Sequence, residues 1–492
     1  MTIGAKQRKL YAVNKKIAVI GAGVGGLSSA ARLAHDGYDV EVFEKLPRSG
    51  GRNHILEDNG FKFDMGPSFV LMPDFFREVF SYCGENLKDY LDLRVLDTNY
   101  KIFYPDGESF TVYKDSERTK EEMERLEQGS ALAYDKFIKE TARLYSVVKP
   151  LLYKCFTPAA LLNPAYWPLA TKIHAFKSYW QLARKFFKTD KLCYAFTFEA
   201  MFMGVSPYQA PAFYSIITYT DHVEKIAHPM GGMYQIPLAL EKMGKKFGAK
   251  FNYNSEVGQV SANGTVNLMV NGEERSFDKA VFNADYSYTQ EELLGRSLPE
   301  YKYSCSVYLL YLGLKKKVPG AEHHNLFFAP DLNKNLREIF DDGETSSDLS
   351  FYLHVPTVTD RSLAPAGKDI FYLLIPVANL NKAKEKILAK EALIRETVFK
   401  RINKALGIDL EDLIEVEHKF YPEDFTKRYN IKFGATFGLA HNLMQSAFFR
   451  PANFDRKLKN VYFVGASTQP GGGLPVVIAS SRIVADLIKK TS

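Results

Sequence analysis

The sequence predicts an α/β fold in which a Rossmann-like dinucleotide-binding domain carries an inserted α+β domain with a helical cap. Residues 16–44 read as strand, glycine-rich turn, helix and strand, and residues 461–489 read as strand, loop and helix at the opposite end of the chain. Apolar strands at 306–312 and 370–377 lie between these ends and predict a second sheet. With 492 residues the chain exceeds one small domain, so two domains are expected.

The first unit has the features of a dinucleotide-binding turn. A fully apolar strand at 17–20 predicts a central parallel strand, and Gly21, Gly23 and Gly26 follow it in the pattern Gly-x-Gly-x-x-Gly. These glycines allow a tight turn, a close approach to a pyrophosphate, and close packing of helix on strand. The phosphates are expected at the helix N-terminus, whose free N–H groups favour anions. The second strand ends in Glu44, which is placed to accept the ribose hydroxyls.

Two further segments favour FAD over NAD. Gly50 and Gly51 let the main chain pass close to a flat or charged group, and Arg52 supplies a cationic fork for phosphate. At the far end, the glycine-rich loop 465–475 is expected to close the ligand site from the other side. N–H groups at the start of the following helix, with Thr468, are expected to meet the ribityl chain or the flavin carbonyls. A larger, permanently held dinucleotide requires this extra clamp.

Composition places the chain among globular proteins, with 46% hydrophobic and 25% charged residues. Its 36 Phe and 29 Tyr suit either the lining of a large apolar ligand site or an aromatic core. The four cysteines are far apart, which argues against a disulfide framework or a zinc site, and we expect no metal. The sequence begins without an apolar signal segment and contains no apolar run of about 18 residues, so we expect a cytoplasmic protein that does not span a bilayer.

Residues 143–191 form a basic stretch that also contains both tryptophans. It has nine Lys and Arg side chains against one acid, Asp190, together with Trp167 and Trp180. Basic side chains interleaved with Trp and Phe suit a surface that docks on an anionic bilayer. A solvated helical face is the alternative. Prolines break the stretch and no nucleic-acid-binding motif is present, so no nucleic acid partner is expected.

Several short motifs occur in an order and spacing that resemble the bacterial phytoene desaturase branch of the flavin-containing amine oxidase superfamily. The resemblance covers residues 16–490. It is carried by the N-terminal unit with its Gly-Gly-Arg, and by FDMGP at 63–67, HPMGGM at 228–233, NAD at 283–285, DRSLAP at 360–365 and the 465–475 loop. The resemblance implies an FAD-dependent desaturase that introduces C=C bonds into a long apolar isoprenoid, either phytoene or a later carotenoid intermediate.

The resemblance also implies roles for individual residues. Those implied to hold the ADP half of FAD are Gly21, Gly23, Gly26, Glu44 and Arg52, with the main chain at Val257 meeting the adenine. Those implied to surround the isoalloxazine and ribityl groups are Gly66, Pro67, Gly231, Gly232, Gly465, Ala466 and Thr468. Two residues depart from the family: Gln469 stands where many phytoene desaturases have His, and Val476 where some have Gly. The exact substrate and reaction step are left open by these departures.

The implied chemistry is hydride transfer to the flavin followed by loss of a neighbouring proton. An allylic C–H in an apolar polyene is too weak an acid to be deprotonated first, whereas hydride loss leaves a delocalised allylic cation. A mandatory acid/base pair is not expected, and no catalytic residue is assigned. His222 and His228 are the candidates, and two structural histidines with satisfied hydrogen bonds are the alternative. The reduced flavin then needs an electron acceptor such as a quinone or oxygen.

The predicted domains are discontinuous in sequence. We expect an FAD-binding domain formed by 1–85, 225–290 and 455–492, and a substrate domain formed by 86–224 and 291–454. Residues 140–220 are expected to form a helical cap that attaches the protein, through 143–191, to the inner face of the cell membrane.

Other functions are compatible with the same residues. A carotenoid isomerase, a carotenoid oxidase and an amine oxidase share the scaffold, although a polar amine substrate would leave the basic stretch unexplained. A flavin-free prenyl-binding carrier, of the kind found in GDP-dissociation inhibitors, is the alternative outside the enzymes. Arg52 and the 465–475 loop argue against that carrier.

Overall fold

The computed structural model describes residues 15–345 and 348–491. The strands in this part of the chain are β1 (Lys16–Ile20), β2 (Asp39–Phe43), β3 (Ile55–Asp58), β4 (Phe61–Asp64), β5 (Leu93–Val95), β6 (Thr98–Phe103), β7 (Ser109–Tyr113), β8 (Ala227–Pro229), β9 (Lys250–Asn252), β10 (Val257–Asn263), β11 (Thr265–Val270), β12 (Glu273–Phe277), β13 (Lys279–Phe282), β14 (Ser306–Leu314), β15 (His324–Phe327), β16 (Phe351–His354), β17 (Asp369–Val377), β18 (Ile414–Phe420) and β19 (Val461–Phe463).

The α-helices, which are joined by short 3-10 and π segments, are α1 (Val24–His35), α2 (Pro73–Tyr82), α3 (Ser116–Leu126), α4 (Ser130–Val148), α5 (Trp167–Lys172), α6 (Tyr179–Ala183), α7 (Asp190–Ala195), α8 (Ile216–Tyr219), α9 (Gln235–Lys246), α10 (Tyr286–Tyr288), α11 (Leu332–Arg337), α12 (Ile387–Leu406), α13 (Leu410–Leu413), α14 (Pro422–Tyr429) and α15 (Leu474–Lys490). Among the residues described, none of these helices combines the length and the apolar character needed to cross a bilayer.

The first sheet contains five parallel strands in the order β19-β13-β1-β2-β9. Successive side chains of β1 point to opposite faces. Ile17 and Val19 pack against α1, α9 and α15, whereas Ala18 and Ile20 pack against the small β10-β11-β12 sheet. Covering on both faces explains why these strands are uniformly apolar. Because β1 and β19 are parallel, the glycine-rich segments that follow them lie at the same carboxyl edge of the sheet.

The second sheet contains seven strands in the order β18-β14-β17-β16-β15-β6-β7, with one parallel pair, β15 and β6. The predicted strands at 306–312 and 370–377 are β14 and β17, which pair antiparallel over nine residues each. Leu310 and Leu312 pack beneath α12 on one face. Val307 and Leu309 point to the other face, towards the helices of residues 116–219. This second face forms one wall of the cavity described below.

The basic stretch is helical in part, and its two tryptophans differ in exposure. Trp167 is 64% exposed at the start of α5. Trp180 is only half-exposed, because its ring packs between Tyr194 and Tyr208 with ring centroids 4.5 and 5.0 Å away. The expectation that both tryptophans belong to an exposed docking surface is therefore corrected for Trp180. Its neighbours along the chain gave no indication of the two tyrosines that cover it.

The domain boundaries stay a prediction. One strand pair crosses them, since β5 of the predicted substrate domain pairs with β8 of the predicted FAD-binding domain. Residues 1–14, 346, 347 and 492, which the predicted domains include, lie outside the described residues.

Candidate functional site

A single cavity of about 460 Å³ is lined by both ends of the chain and by the second sheet. Its polar end is formed by the loop that precedes α1, the loop that precedes α15, and the segments that follow β2, β10 and β13. Its apolar end is formed by Leu152, Phe198, Met201, Met203, Ile216, Ile217, Val307, Leu309, Leu326, Phe328, Tyr352, Tyr372 and Leu374. The two glycine-rich segments predicted to converge therefore share one cavity with a long aliphatic and aromatic wall.

The turn before α1 is held by close contacts between main-chain segments. A Cβ on Gly26 would lie 2.1 Å from the carbonyl oxygen of Gly21, so only glycine permits this packing of helix start on strand end. Gly51 has a positive φ of 56°, and a Cβ there would lie 3.2 Å from the Cα of Gly23. The predicted second glycine pair thus packs directly on the first turn, in addition to lining the cavity.

Glu44 lies at the end of β2, where the sequence places it. Its carboxylate accepts hydrogen bonds from the main-chain N–H groups of Ala22 (2.7 Å) and Leu46 (3.0 Å) and lines the cavity. Burial raises the pKa of Glu44 above its ordinary value, and these two hydrogen bonds act in the opposite direction. Since a carboxylate has about four acceptor sites, two of them fix the turn and the others are free to face a ligand.

Arg52 points along the cavity wall towards the second half of the chain. Its Nη1 donates to the carbonyl oxygen of Thr436 at 2.6 Å. Burial lowers the pKa of Arg52, whereas the nearby Asp285 carboxylate raises it. Asp285 follows β13 and also lines the cavity, with its own pKa raised by burial and lowered by Arg52. The Arg52 guanidinium and the Asp285 carboxylate, which offset each other's charge, therefore lie close together at the polar end of the cavity.

Two helices begin at this end without a side-chain cap. α1 starts after Gly23 and α15 starts after Gly473, and in neither case does a side chain bond the free N–H groups of the first turn. The residues at both helix starts, including Val24 and Val477, line the cavity. Unsatisfied N–H groups and the positive ends of two helix dipoles suit the pyrophosphate and carbonyl groups of a dinucleotide. The donor set and the glycine cradle therefore fit FAD.

The predicted site residues separate into two groups. Those that line the cavity are Gly21, Gly23, Glu44, Arg52, Gly66, Pro67, Val257, Gly465 and Ala466. Those that do not are Gly26, Gly231, Gly232 and Thr468. Gly26 lies inside the turn, and Gly231 and Gly232 form a tight turn whose N–H at 231 donates to Asp360 at 2.5 Å. Thr468 donates to the carbonyl oxygen of Gly465 and lines a small adjoining pocket with Arg52.

The loop before α15 is supported by buried side chains that the sequence interpretation did not assign. Arg450 donates to five carbonyl oxygens, including those of Ala466 (2.6 Å) and Thr468 (3.1 Å). Its guanidinium is fully buried, which lowers its pKa to about 10. His441 accepts from the N–H of Gly472 at 2.9 Å. Asn283, at the end of β13, lies against Gly23 and Gly25 of the first turn and also lines the cavity.

Gln469 joins this loop to the predicted cap. Its Oε1 accepts from the N–H of Phe156 at 2.6 Å, and its Nε2 donates to the carbonyl oxygens of Phe156 (2.9 Å) and Arg450 (3.0 Å). The side chain is almost fully buried. Gln469, which departs from the family pattern, therefore joins residues 149–166 to the glycine-rich loop by hydrogen bonds.

Neither of the two candidate histidines lines the cavity. His222 is buried, with its ring nitrogens 3.1 Å from the hydroxyls of Tyr100 and Tyr134. It is thus a satisfied structural histidine, as the alternative interpretation expected. His228 is fully buried behind the cavity wall, beside two other histidines and Asp360.

Comparisons with known proteins agree with this geometry. The family described as flavin containing amine oxidoreductase matches residues 24–489. The zeta-carotene-forming phytoene desaturase of Myxococcus xanthus is 37% identical over 485 residues, covering 96% of this chain and 93% of its own. The 4,4'-diapophytoene desaturase (4,4'-diaponeurosporene-forming) of Staphylococcus aureus strain Newman is 34% identical over 492 residues, covering 96% and 98%.

Solved structures show the same fold at much lower sequence identity. An oxidoreductase from Methanosarcina mazei superposes with a TM-score of 0.62 at 17% identity, covering 95% of this chain and 98% of that chain. Cyclohexylamine oxidase from Brevibacterium oxydans superposes with a TM-score of 0.60 at 15% identity, covering 97% and 99%. At these identities the likeness concerns the fold alone.

Proposed function

Because this chain belongs to the flavin containing amine oxidoreductase family, we propose that it is a carotenoid desaturase that introduces C=C bonds into a long acyclic isoprenoid. The predicted family and the predicted cofactor, FAD, are confirmed by the comparisons. The relatives named for phytoene and for 4,4'-diapophytoene define the two substrates to be distinguished.

One observation carries the proposal: a single cavity is lined by two uncapped helix starts at one end and by aliphatic and aromatic side chains at the other. The first set of groups suits a charged dinucleotide, and the second suits a hydrocarbon. A small polar amine would leave the long apolar wall without a complementary surface. The cavity therefore favours a hydrocarbon substrate over an amine.

The residues of the chain position the reacting groups and exclude water. When bound, FAD supplies the acceptor for the hydride lost from an allylic C–H. Gly21, Gly23, Glu44, Arg52 and Val257 are proposed to hold its ADP half.

The remaining cofactor contacts and the substrate contacts come from the other parts of the wall. Gly66, Pro67, Gly465 and Ala466 are proposed to face its flavin half. Phe198, Phe328 and Tyr352 line the apolar end, where aromatic faces stabilise the positive charge that develops on the substrate. The apolar walls prevent water from trapping that cation.

Product analysis tests this function. The protein is expressed in bacterial cells that make no carotenoid other than one precursor, which is either phytoene or 4,4'-diapophytoene. The pigments are then separated by chromatography. We expect products with added conjugated double bonds from one or both precursors. Purified protein with FAD, kept without oxygen, is expected to lose its flavin absorbance when the same precursor is added in lipid vesicles. Unchanged precursors together with flavin reduction by an alkylamine would contradict the proposal and identify an amine oxidase.

We infer further that residues 154–177 dock on an anionic bilayer and deliver the substrate. Leu162, Trp167 and Phe176 are 82%, 64% and 80% exposed, although large apolar side chains are ordinarily covered. Lys172 and Lys177 lie between and beside them and are exposed, and each adds about 1 kcal/mol of attraction to an anionic surface. Leu152, which precedes this segment, lines the cavity, so the docking surface adjoins the apolar end of the cavity.

Part of the basic character of the stretch is neutralised within the protein. Arg143, Lys149, Arg184 and Lys191 form ion pairs with Glu140, Asp74, Asp190 and the Asp106–Glu108 pair, respectively. Lys177 lies close enough to Lys185 to lower the pKa of Lys185. The five basic side chains of the stretch outside these ion pairs are Lys154, Lys172, Lys177, Lys185 and Lys188, and the first three of them belong to the docking segment 154–177.

Sedimentation with lipid vesicles tests the docking surface. We expect binding to vesicles that contain anionic lipid, weaker binding to neutral vesicles, and about a tenfold loss of binding in Trp167→Ser or Leu162→Ser, since each removes roughly 1–2 kcal/mol of apolar contact. Leu388→Ser is the matched control, because Leu388 is 67% exposed on α12, in the other part of the chain. Equal losses at Leu162 and Leu388 would contradict a specific surface. The electron acceptor is tested in the same vesicles, by comparing flavin reoxidation with a quinone and with oxygen.

A further inference from the structure

Four histidines pack together behind the cavity wall, at the junction of three strands. His228 lies in β8, His323 directly precedes β15, His324 begins β15, and His354 ends β16. Each is at most 2% exposed. The ring centroids of His323 lie 4.8 Å from those of both His228 and His354. Burying four imidazoles in one place has a high cost unless their nitrogens are bonded or bind a cation.

Three of these rings bring ring nitrogens close to one another. In His228, His323 and His354, one nitrogen from each ring lies within 4.8 Å of the others. Nε2 of His354 and Nε2 of His323 are 3.0 Å apart. Both nitrogens of His228 are buried and make no hydrogen bond, and its Nε2 lies 3.6 Å from a carboxylate oxygen of Asp360. Nδ1 of His228 therefore has no hydrogen-bond partner among the described residues, and Nε2 has only the long contact with Asp360.

The surroundings orient these rings as ligands. Nδ1 of His323 is 2.8 Å from the hydroxyl of Thr359, and when it donates there, Nε2 keeps its lone pair for a metal. Asp360 accepts a hydrogen bond from the N–H of Gly231 and supplies a negative charge beside His228.

We propose that His228, His323 and His354 bind one divalent zinc-type cation. Three imidazoles beside a carboxylate form the nitrogen-rich ligand set that Zn²⁺ prefers, whereas Ca²⁺ and Mg²⁺ require mainly oxygen ligands. The cysteine spacing gave no indication of this site, and the expectation of no metal rested on that spacing. The ligands come from β8, from the residue before β15 and from β16, which the fold, rather than a local motif, brings together.

The cation would stabilise the part of the cavity wall that adjoins the second sheet. His324, adjacent to one ligand, stacks on Phe69 with ring centroids 4.0 Å apart and bonds the hydroxyl of Tyr352 at 2.6 Å. That hydroxyl donates to Ser68 at 2.8 Å, and Ser68, Phe69 and Tyr352 all line the cavity. The site is thus structural: it fixes the strands that position the wall, and its occupancy does not depend on which substrate the enzyme desaturates.

Metal analysis of the FAD-bound protein tests the proposal. Protein stripped with a chelator is equilibrated with about 1 μM free Zn²⁺, a level that saturates structural zinc sites, and metal per chain is measured by mass spectrometry. We expect one zinc per chain, a higher thermal midpoint than for the stripped protein, and no retention of Ca²⁺ or Mg²⁺. Co²⁺ bound in place of zinc should give visible d–d absorption bands typical of nitrogen ligation.

Matched variants locate the site. His228→Gln and His354→Gln are expected to weaken zinc binding by at least about 100-fold, and Thr359→Val by roughly 10–100-fold. His324→Gln is the control, because this equally buried histidine is not one of the three ligands and should leave one zinc bound. Flavin content and gel filtration show whether each variant is folded. Wild-type protein that binds no zinc under these conditions, or zinc that persists in the His228 and His354 variants, would overturn the proposal.

Discussion

The two helix starts that line the cavity both lack a side-chain cap and differ in how they are held. The turn before α1 is fixed by contacts within one βαβ unit: Gly26 against Gly21, and Glu44 on the N–H of Ala22. The loop before α15 is fixed by side chains from outside its own strand–loop–helix unit, among them Arg450 and His441. The first turn is therefore specified within its own unit, whereas the second depends on hydrogen bonds from other segments. Substitutions can test this difference directly.

Arg450→Met is expected to give the largest effect. It removes the donor of five hydrogen bonds and leaves the carbonyl oxygens of the α15 loop buried without partners. Each unsatisfied buried group costs about 1–3 kcal/mol, with partial relaxation, so we expect the free energy of unfolding to fall by roughly 3–5 kcal/mol. Denaturant unfolding of the FAD-bound protein measures it.

Arg94→Met provides the control for Arg450→Met. Arg94 pairs with Asp92 on the surface, with both side chains 60% exposed, so the change should stay within about 0.5 kcal/mol. Equal small effects at positions 450 and 94 would show that the α15 loop does not depend on the buried guanidinium.

Gly26→Ala is expected to act on flavin binding before it acts on overall stability. The added Cβ would lie 2.1 Å from the carbonyl oxygen of Gly21, so the turn must shift and its N–H groups move from the phosphates. A shift of this kind costs about 2–3 kcal/mol, which corresponds to roughly 30–150-fold weaker FAD binding. Flavin absorbance per chain after dialysis measures the loss.

Gly258→Ala is the matched control for Gly26→Ala. A Cβ at Gly258 would have only the carbonyl oxygen of Met269 nearby, at 3.8 Å, and the residue does not have a positive φ. We expect full flavin content in this variant. A flavin content that falls equally in both variants would contradict a specific role for the close contact at Gly26.

Gln469→Leu separates the α15 loop from the cap. The substitution removes both hydrogen bonds between Gln469 and the main chain of Phe156. We expect the free energy of local opening to fall by about 1–2 kcal/mol and the N–H of Phe156 to exchange with deuterium roughly 5–30 times faster. Hydrogen exchange followed by mass spectrometry measures it.

The control for Gln469→Leu is Gln209→Leu, at an exposed glutamine that bonds Asp341 on the surface. Exchange at Phe156 should be unchanged in that variant. Unchanged exchange in Gln469→Leu would show that the cap is held by packing alone.

The difference between the two helix starts also explains how much the sequence could predict. The strand predicted to precede Glu44 is observed as β2, and the apolar runs at 306–312 and 370–377 lie within β14 and β17. These strands were predictable because hydrophobic periodicity and composition are properties of each short segment by itself. The part of the polar end that precedes α1 was predictable for the same reason: Gly21, Gly23 and Glu44 belong to one short unit.

The remaining parts of the site depend on partners that belong to different elements. Arg450 is an ordinary arginine in sequence, and only the fold places loop carbonyls around its guanidinium. His228, His323 and His354 come from separate segments that the fold brings together. Trp180 was misassigned to the docking surface because sequence neighbours do not reveal that Tyr194 and Tyr208 cover it.

The smallest expected effect is a pH dependence at the α15 loop. Nε2 of His441 accepts from the N–H of Gly472, and its Nδ1 is bonded to the carbonyl oxygen of Met203 at 2.9 Å. Burial, followed by the charge of Arg450, holds the pKa of His441 well below its ordinary value. Below about pH 6.5, His441 therefore binds a proton in the unfolded chain but not in the folded chain. The contribution of His441 is complete above that pH and is lost as the pH falls, by about 1.4 kcal/mol per pH unit.

His441→Gln isolates this contribution, because the amide keeps an acceptor for Gly472 and cannot be protonated. We expect the free energy of unfolding of the wild type to fall more than that of the variant between pH 7.5 and 5.5, by about 1–2 kcal/mol. The difference between the two proteins cancels the titration of the other buried histidines. Parallel pH profiles would mean that His441 binds its proton equally well in the folded and the unfolded chain, and the hydrogen bond from Gly472 would then have to be abandoned as the support of the loop.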